Sequence, residues 1–264
     1  MLDVDGLCVD YPERRGQAQA SGTAALEHVR LALAEGQSLA VVGESGSGKS
    51  TLARAILGLV PPSAGNVRWF GESIHSAGRR RLREIRRQMQ VVFQDPVGSL
   101  DPRMTVEKSL FEALEARTAA TTRHAVGASI DDALARVGLD ASLRRRYPHE
   151  LSGGQCQRVD IARATMVSPR LLICDEATSA LDVSVQAQII NLINQIRTDS
   201  KMAMMFITHN LAVARLVCED VIVLNAGRVV ESGPIEQVFR EPAEPYTREL
   251  LSSAGSVARI SSRP

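Results

Sequence analysis

The chain has 264 residues, enough for one large domain with a sizeable core. Its 31 basic and 30 acidic side chains leave a formal net charge of +1, which gives no reason to expect nucleic acid as a partner. No apolar run approaches the roughly 18 residues of a membrane span, and the acidic N-terminus lacks the basic and apolar regions of a signal peptide. We therefore expect a chain that is soluble by itself and reaches a membrane only through a partner.

Strand and helix patterns alternate through much of the chain. Residues 26–43 predict a strand, a turn and an apolar strand. The next predicted elements in chain order are a helix at 50–59, a strand within 61–71, an arginine-rich, solvated helix at 79–89 and a strand at 90–94. After the middle of the chain, the pattern predicts a strand at 170–176, a helix at 184–197, and strands at 202–209 and 220–225. Apolar runs of strand length suit a parallel sheet buried on both faces. The alternation therefore predicts a three-layer α/β core.

The middle and the end of the chain depart from this alternation. From about Thr105 to Val167 the patterns are helical, which predicts a helical insert in the α/β core, and the arginines at 144–146 are expected to cap a helix C-terminus. After Gly233 the chain is broken by prolines and is expected to end in one helix. The four cysteines are scattered without metal-ligand spacing, so we expect reduced thiols.

The segment GESGSGKST (43–51) fits the pattern G-x-x-x-x-G-K-[ST], between a predicted strand and a predicted helix. Glycines let such a loop turn its N–H groups toward phosphate oxygens, and the helix that follows adds the positive end of its dipole. Lys49, one of three lysines, would place a cation on the β- and γ-phosphates, and the Ser50 hydroxyl would ligate Mg²⁺. The predicted nucleotide-binding residues are Gly43, Glu44, Ser45, Gly46, Ser47, Gly48, Lys49, Ser50 and Thr51.

A second acidic strand should accompany a phosphate loop. In LLICDE (171–176) the apolar residues predict a buried strand, and Asp175 emerges at its carboxyl end, where open α/β sheets bind ligands. Asp175 would hold Mg²⁺, and Glu176 would polarise the attacking water. These features predict a P-loop NTPase without deciding among kinases, GTPases, helicases and transporter motors.

The segment HELSGGQCQR (149–158) decides among these classes, since its LSGGQ resembles the signature of ABC ATPases. The resemblance implies an ABC nucleotide-binding domain, with a RecA-like P-loop core, an antiparallel β subdomain and an inserted helical subdomain. This ATPase domain would cover residues 1–235, with the helical insert at about 96–167, and 236–264 would form a short tail with a helix. ATP and Mg²⁺ are the implied cofactors.

Other residues match the family in order. Gln94 in VVFQDP resembles the glutamine loop, which joins core to insert and senses Mg²⁺ and the attacking water. Asp182 in SALD resembles the aspartate loop at the dimer seam, and His209 in FITHN resembles the switch histidine that contacts the γ-phosphate. Tyr11 resembles the aromatic residue that stacks on adenine, although residues 14–24 make the loop after it longer than usual.

The resemblance gives LSGGQ a role in a partner's site. Ser152, Gly153, Gly154 and Gln155 begin a predicted helix, which is an anion site directed outward. In the family this site completes the shell around the γ-phosphate of ATP held by a second, facing ATPase subunit, so catalysis requires two subunits. The residues that depart from the family pattern are Cys156, Asp160 and Asn210, and none of them removes a group that contacts nucleotide.

Three longer segments resemble the dipeptide, oligopeptide and nickel importer ATPases, namely residues 93–106, 175–193 and the Pro-Tyr-Thr segment EPYTRELL (244–251). This resemblance implies a bacterial subunit, peripheral at the cytoplasmic face of the inner membrane. Its partners would be an identical or paralogous ATPase, two permeases docked near residues 95–105 and, indirectly, an extracytoplasmic solute-binding protein. Peptides are the first expectation for the solute, followed by nickel or a metal chelate.

Two alternatives remain open. One is a soluble ABC ATPase of DNA repair or translation, although the neutral charge and the lack of coiled-coil or zinc segments argue against it. The other is a regulatory subunit that binds ATP with little turnover, against which Glu176 and His209 argue.

Overall fold

The computed structural model describes residues 1–11, 23–115, 123–179 and 181–260. The strands in this part of the chain are β1 (Leu2–Tyr11), β2 (Thr23–Leu33), β3 (Ser38–Val42), β4 (Ala64–Trp69), β5 (Glu72–Ser73), β6 (Met89–Val92), β7 (Leu171–Asp175), β8 (Ala203–Thr208), β9 (Asp220–Asn225) and β10 (Arg228–Pro234). The helices are α1 (Lys49–Ile56), α2 (Arg79–Gln88), α3 (Val106–Glu115), α4 (Arg123–Arg136), α5 (Gly153–Thr165), α6 (Val183–Ser200), α7 (Leu211–Val217), α8 (Ile235–Arg240) and α9 (Pro245–Ile260). Short 3-10 turns cover Ala141–Arg145 and Pro148–Glu150.

The chain divides into two compact units. The first contains Met1–Ile85 and Met205–Pro264, and the second contains Arg86–Met204. Helix α2 and strand β8 each run across a boundary between the two.

The first unit contains an antiparallel sheet with strand order β2-β1-β4-β5. In the register of β1, Leu2 lies opposite Leu33 on one side and Trp69 on the other. Every second residue at the start of β1 is buried, because successive side chains of a strand point to opposite faces. The sheet thus has one apolar face, and the strand predicted after residue 26 is confirmed as part of β2.

The first unit also contains the strand that leads into the phosphate loop. Strand β3 pairs in parallel with β9, with Leu39 opposite Asp220 and Val42 opposite Val223, and β10 pairs antiparallel with β9. All five residues of β3 are buried. The apolar, fully buried strand predicted here is confirmed.

The second unit pairs β6 and β7 in parallel, with Met89 opposite Leu171 and Val92 opposite Cys174. The sequence predicted a strand over 90–94, but β6 ends at Val92. The strand stops early because the Asp95 carboxylate accepts the N–H groups of Val97 and Gly98 and turns the backbone into a loop.

Helices α3, α4 and α5 of the second unit bury apolar faces that include Leu110, Leu134 and Val159. The arginines at 144–146 lie at a helix C-terminus as predicted: Arg144 and Arg145 are in the last turn of the 3-10 turn Ala141–Arg145, and Arg146 is its C-cap, whose N–H donates to the Leu143 carbonyl. The Arg144 guanidinium lies 2.5 Å from the Glu107 carboxylate of α3 and 3.0 Å from the Asp131 carboxylate of α4. Arg144 is 37 positions from Glu107 and 13 positions from Asp131, so no local pattern in the sequence indicates these ion pairs.

The four cysteines, all among the described residues, are not joined in disulfides, and Cys156, Cys174 and Cys218 are buried. In the part of the chain that the structure describes, no helix combines the length and the apolar character needed to cross a membrane.

The tail contains α8 in addition to the one helix predicted, and Ile235, Val238 and Leu250 anchor α8 and α9 to the first unit.

Candidate functional site

The phosphate loop follows β3 and opens α1, as predicted. Gly43 and Gly48 adopt positive φ of 153° and 106°, in a region that disfavours residues with a Cβ. A Cβ at Gly43 would meet the Leu224 carbonyl oxygen at 2.1 Å, and one at Gly48 would meet the Ala25 carbonyl oxygen at 2.6 Å. Glycine is therefore required at both positions by backbone conformation and by the close approach of neighbouring strands.

Lys49 is folded back along the loop. Its Nζ donates to the carbonyl oxygens of Gly43 at 2.8 Å and Glu44 at 2.6 Å, and lies 3.4 Å from Ser47 Oγ. The residue is 5% exposed, so a nearly buried cation is held against the oxygens of the loop. A fixed cation with neighbouring backbone N–H groups is the arrangement that binds polyphosphate.

The loop is supported from outside by the sheet strands. The Ser47 carbonyl accepts the Gly227 N–H at 3.0 Å, and the Gly227 carbonyl accepts the Glu27 N–H at 2.8 Å. Tyr11 lies beside the loop, with its hydroxyl 3.5 Å from Thr51 Oγ1, and the residue is 39% exposed. The structure thus brings Tyr11 to the start of α1. Most of the long segment predicted after it falls at 12–22, outside the described residues.

In the second unit, Asp175 ends β7 and is 8% exposed. Glu176 follows with φ of 51°, a left-handed conformation that is uncommon for a residue with a side chain. The Glu176 carbonyl accepts the N–H and the hydroxyl of Ser179, at 3.1 and 3.0 Å. A tight turn therefore fixes the strained backbone from which the Glu176 carboxylate projects, as occurs at functional sites.

The signature segment begins α5 in the way the sequence predicted. Ser152 is the N-cap, since its hydroxyl accepts the Gln155 N–H at 3.2 Å while the Gln155 side chain accepts the Ser152 N–H at 2.9 Å. Ser152 and Gly153 are exposed. At Gly154 a Cβ would meet Val185 Cγ1 at 2.8 Å, so this glycine is needed for helix packing as well.

Asp182 is hydrogen-bonded to Val185, the residue that packs against Gly154 of the signature segment. It is the N-cap of α6, and its carboxylate accepts the Val185 N–H at 2.9 Å and the Ser184 hydroxyl at 2.8 Å. These hydrogen bonds lower the pKa of the Asp182 carboxyl, which keeps it ionised at the helix N-terminus. Its capping role needs no partner subunit, while its place at a dimer seam stays a prediction.

His209 and Gln94 are exposed residues that each follow a strand, β8 and β6 respectively. Asn210, noted as a departure from the family pattern, is the N-cap of α7, where its Oδ1 accepts the N–H groups of Ala212 and Val213. Asparagine caps a helix as well as aspartate does, so this departure leaves the start of the helix after His209 intact.

The other two departures lie on the buried face of α5. Cys156 is fully buried, and its thiol donates to the Pro148 carbonyl at 3.5 Å. The Asp160 carboxylate, also fully buried, lies 2.5 Å from the Arg163 guanidinium, which donates at 2.7 Å to the Ser99 carbonyl. Burial raises the pKa of Asp160, although the Arg163 charge acts in the opposite direction. The pair connects α5 to the loop that follows β6.

Replacing Asp160 with alanine is expected to lower the free energy of unfolding by about 2 kcal/mol, because a buried ion pair loses one partner. Urea unfolding followed by circular dichroism measures the loss. The control is Asp132→Ala, at an exposed position of α4, where the change should stay within about 0.5 kcal/mol. Equal losses in the two variants would contradict a structural role for the buried pair.

Comparison with known proteins identifies the family. The family model described as ABC transporter matches residues 26–179, more than half of the chain. The chain belongs to the ABC transporter family.

Two relatives illustrate the similarity of this ABC transporter chain to known sequences. The oligopeptide transport ATP-binding protein OppF of Salmonella typhimurium is 45% identical over 257 residues, which are 96% of this chain and 77% of the relative. A putative peptide import ATP-binding protein of Brucella abortus is 44% identical over 236 residues, which are 89% and 70% of the two chains.

Solved structures of ABC cassettes share the fold. The cassette MJ0796, solved as a dimer in a post-hydrolysis state with ADP and Pi, is 28% identical with a TM-score of 0.79, over 89% of this chain and 99% of that one. CbiO1 from Clostridium perfringens, part of the transporter complex CbiONQ, is 27% identical with a TM-score of 0.79, over 99% and 98%. The predicted fold class is confirmed, and this ABC transporter chain is an ATPase.

Besides the ion pairs of Arg144, sequence reasoning missed two further contacts. It noted Asp160 without finding its partner, although an arginine three residues later on a helix is a signal for an ion pair. It read Tyr246 only as part of a family segment, whereas the structure places its hydroxyl 3.1 Å from the Glu44 backbone nitrogen. No local pattern could have found the second contact.

Proposed function

We propose that the chain is the ATP-hydrolysing motor of a bacterial, binding-protein-dependent importer of peptides. The observation that carries this proposal is the 45% identity to an oligopeptide transport ATP-binding protein over 96% of the chain. The proposed location is the cytoplasmic face of the inner membrane, where the chain is held by two permeases. An extracytoplasmic solute-binding protein would deliver the solute to these permeases.

ATP is proposed to bind through residues 43–51, with Tyr11 stacked on the adenine. The nearly buried Lys49 ammonium would contact the β- and γ-phosphates, and the N–H groups at the start of α1 would donate to phosphate oxygens. Glu176 is proposed as the base that polarises the attacking water, with His209 at the γ-phosphate and Gln94 as the sensor of the water and metal. The turn held by Ser179 would keep the Glu176 carboxylate in position.

The oxygen donors of Ser50, Gln94 and Asp175 fit Mg²⁺, which prefers a carboxylate, neutral oxygens and the phosphates of its substrate. We propose these three residues as its ligands. The ion would neutralise charge that develops on the β- and γ-phosphates.

The signature segment is proposed to act on ATP bound to a second ATPase subunit. The exposed hydroxyl of Ser152 and the N–H groups of Gly153 and Gly154 stand at the start of a 13-residue helix, where an anion is favoured. MJ0796, which shares the fold, was solved as a dimer. Both an identical and a paralogous partner fit the proposal, and Asp182 would lie at the seam between the subunits.

Permease docking is proposed for the surface at 95–105. Phe93 lies beside this loop and Val97 within it, and these large apolar residues are 36% and 50% exposed. The Arg163 guanidinium stabilises the loop by donating a hydrogen bond to the Ser99 carbonyl. Exposed apolar side chains on a supported loop suit contact with a cytoplasmic helix of a permease.

Purification from membranes followed by reconstitution tests the proposed function. We expect two permeases and a second ATPase subunit to accompany the chain, and vesicles containing the complex and its binding protein to take up labelled peptides when supplied with ATP. Uptake of nickel or a metal chelate instead of peptides would support the alternative solute. Recovery of the chain without any membrane protein would favour an ATPase that is not coupled to transport.

A further inference from the structure

The first residue after Gly43 in the phosphate loop is hydrogen-bonded to the C-terminal region of the chain. The Glu44 N–H donates to the Tyr246 hydroxyl, with 3.1 Å between nitrogen and oxygen, although the two residues are 202 positions apart. Tyr246 is the second residue of α9. A residue outside the loop motif therefore contacts the backbone of the loop.

The other polar group of the Glu44 backbone is held as well. Its carbonyl accepts Lys49 Nζ at 2.6 Å and the Ser47 N–H at 3.2 Å. The residue itself is exposed, so these backbone contacts are what fix it. Tyr246 and Lys49 thus fix the two peptide groups that flank the Glu44 Cα, at the point where the loop leaves β3.

The start of α9, which carries Tyr246, is held in place by hydrogen bonds and burial. The Glu231 carboxylate accepts the N–H groups of Ala243 at 2.8 Å and Glu244 at 3.2 Å, immediately before the helix. Burial acts to raise the pKa of Glu231, but the hydrogen bonds it accepts outweigh burial and lower the pKa. Thr247 and Leu250 are 1% and 8% exposed and anchor the first turns of the helix.

We propose that Tyr246 is a positioning residue for the phosphate loop, which holds the Glu44 peptide in the conformation that binds ATP. The proposal rests on the proposed role of residues 43–51 in phosphate binding. A loop already held in its binding conformation loses less conformational freedom when the ligand arrives, so the contact strengthens ATP binding. Because the hydroxyl acts through the loop backbone, its removal raises KM and leaves kcat nearly unchanged.

Tyr246→Phe removes the acceptor oxygen and keeps the ring. We expect the Kd and KM for ATP to rise about three- to tenfold, the loss of one hydrogen bond, with kcat and melting temperature nearly unchanged. Tyr147→Phe deletes a hydroxyl in the other unit and is the matched control, for which KM stays at the wild-type value. An unchanged KM in Tyr246→Phe, or a loss confined to kcat, would overturn the proposal.

Glu44→Pro provides a second test, because proline has no N–H to donate to Tyr246. In a double-mutant cycle with Tyr246→Phe, the two losses in ATP affinity should not add, since the second deletion finds the bond already absent. Additive losses would overturn the proposed contact even if one single variant folds poorly.

Lys49→Ala separates this proposal from the proposed nucleotide site. If Lys49→Ala loses ATP binding while Tyr246→Phe does not, the positioning role alone fails. If Lys49→Ala binds ATP normally, residues 43–51 are not the phosphate site and both proposals fail.

Discussion

Glu176→Gln should bind ATP with nearly wild-type affinity and hydrolyse it at least about 100-fold more slowly, the contribution of a positioned base. Glutamine keeps the shape of the side chain and the left-handed backbone of the turn, but it cannot take a proton from water. Turnover is measured by phosphate release at saturating ATP, and binding by equilibrium titration of the nucleotide. We also expect the variant to remain as a dimer in the presence of ATP, which size-exclusion chromatography detects.

The control for this variant is Glu112→Gln, at an exposed position of α3 in the same unit. It removes the same charge without touching the residues after β7, so its turnover should match the wild type. Unchanged turnover in Glu176→Gln would remove Glu176 from the role of base and leave the strained turn at 176–179 without a catalytic explanation.

Ser152→Arg is expected to leave ATP binding by a dilute, isolated subunit intact and to reduce hydrolysis by at least about 100-fold, the effect of losing anion-stabilising donors in a catalytic site. Ser152 and Gly153 are exposed, so a large cationic side chain at 152 is tolerated by the subunit itself. It would obstruct the approach of a second subunit that carries ATP. Binding at low protein concentration and hydrolysis at high concentration are the two measurements.

Two further variants are controls for Ser152→Arg. Ser152→Thr keeps a hydroxyl that can accept the Gln155 N–H and should hydrolyse ATP at a nearly normal rate. Ser200→Arg adds the same side chain at the exposed end of α6 and should also be active. Loss of ATP binding in the isolated Ser152→Arg subunit would contradict the action of this segment on a partner's nucleotide.

The phosphate loop shows how far a local pattern can lead. Its glycines, its lysine and its position between an apolar strand and a helix are all visible in nine consecutive residues, and the structure has the predicted strand and helix on either side. The reason that Gly43 must be glycine is not visible there, because the close carbonyl belongs to Leu224 on β9. The motif is local, while the steric requirement comes from a distant strand.

In the signature segment, too, some features are visible in the local sequence and others depend on distant residues. The serine cap and its reciprocal glutamine are a short-range pattern, and the sequence predicted the helix that begins there. The need for a small residue at 154 depends on Val185, which α6 brings against α5. Arg144 shows the same division, since its local context predicted its place at a helix end, while its ion-pair partners Glu107 and Asp131 come from α3 and α4.

The sequence by itself determined the family, the ATPase chemistry, the fold class and most element positions, because each depends on short runs of residues whose spacing has a direct physical meaning. Only the tertiary structure decided the partners of Arg144 and Tyr246, and the glycine requirement at 154. Contacts such as that between Glu44 and Tyr246 join segments far apart in the chain, and a single sequence carries no signal for which distant residues the fold brings within hydrogen-bonding distance.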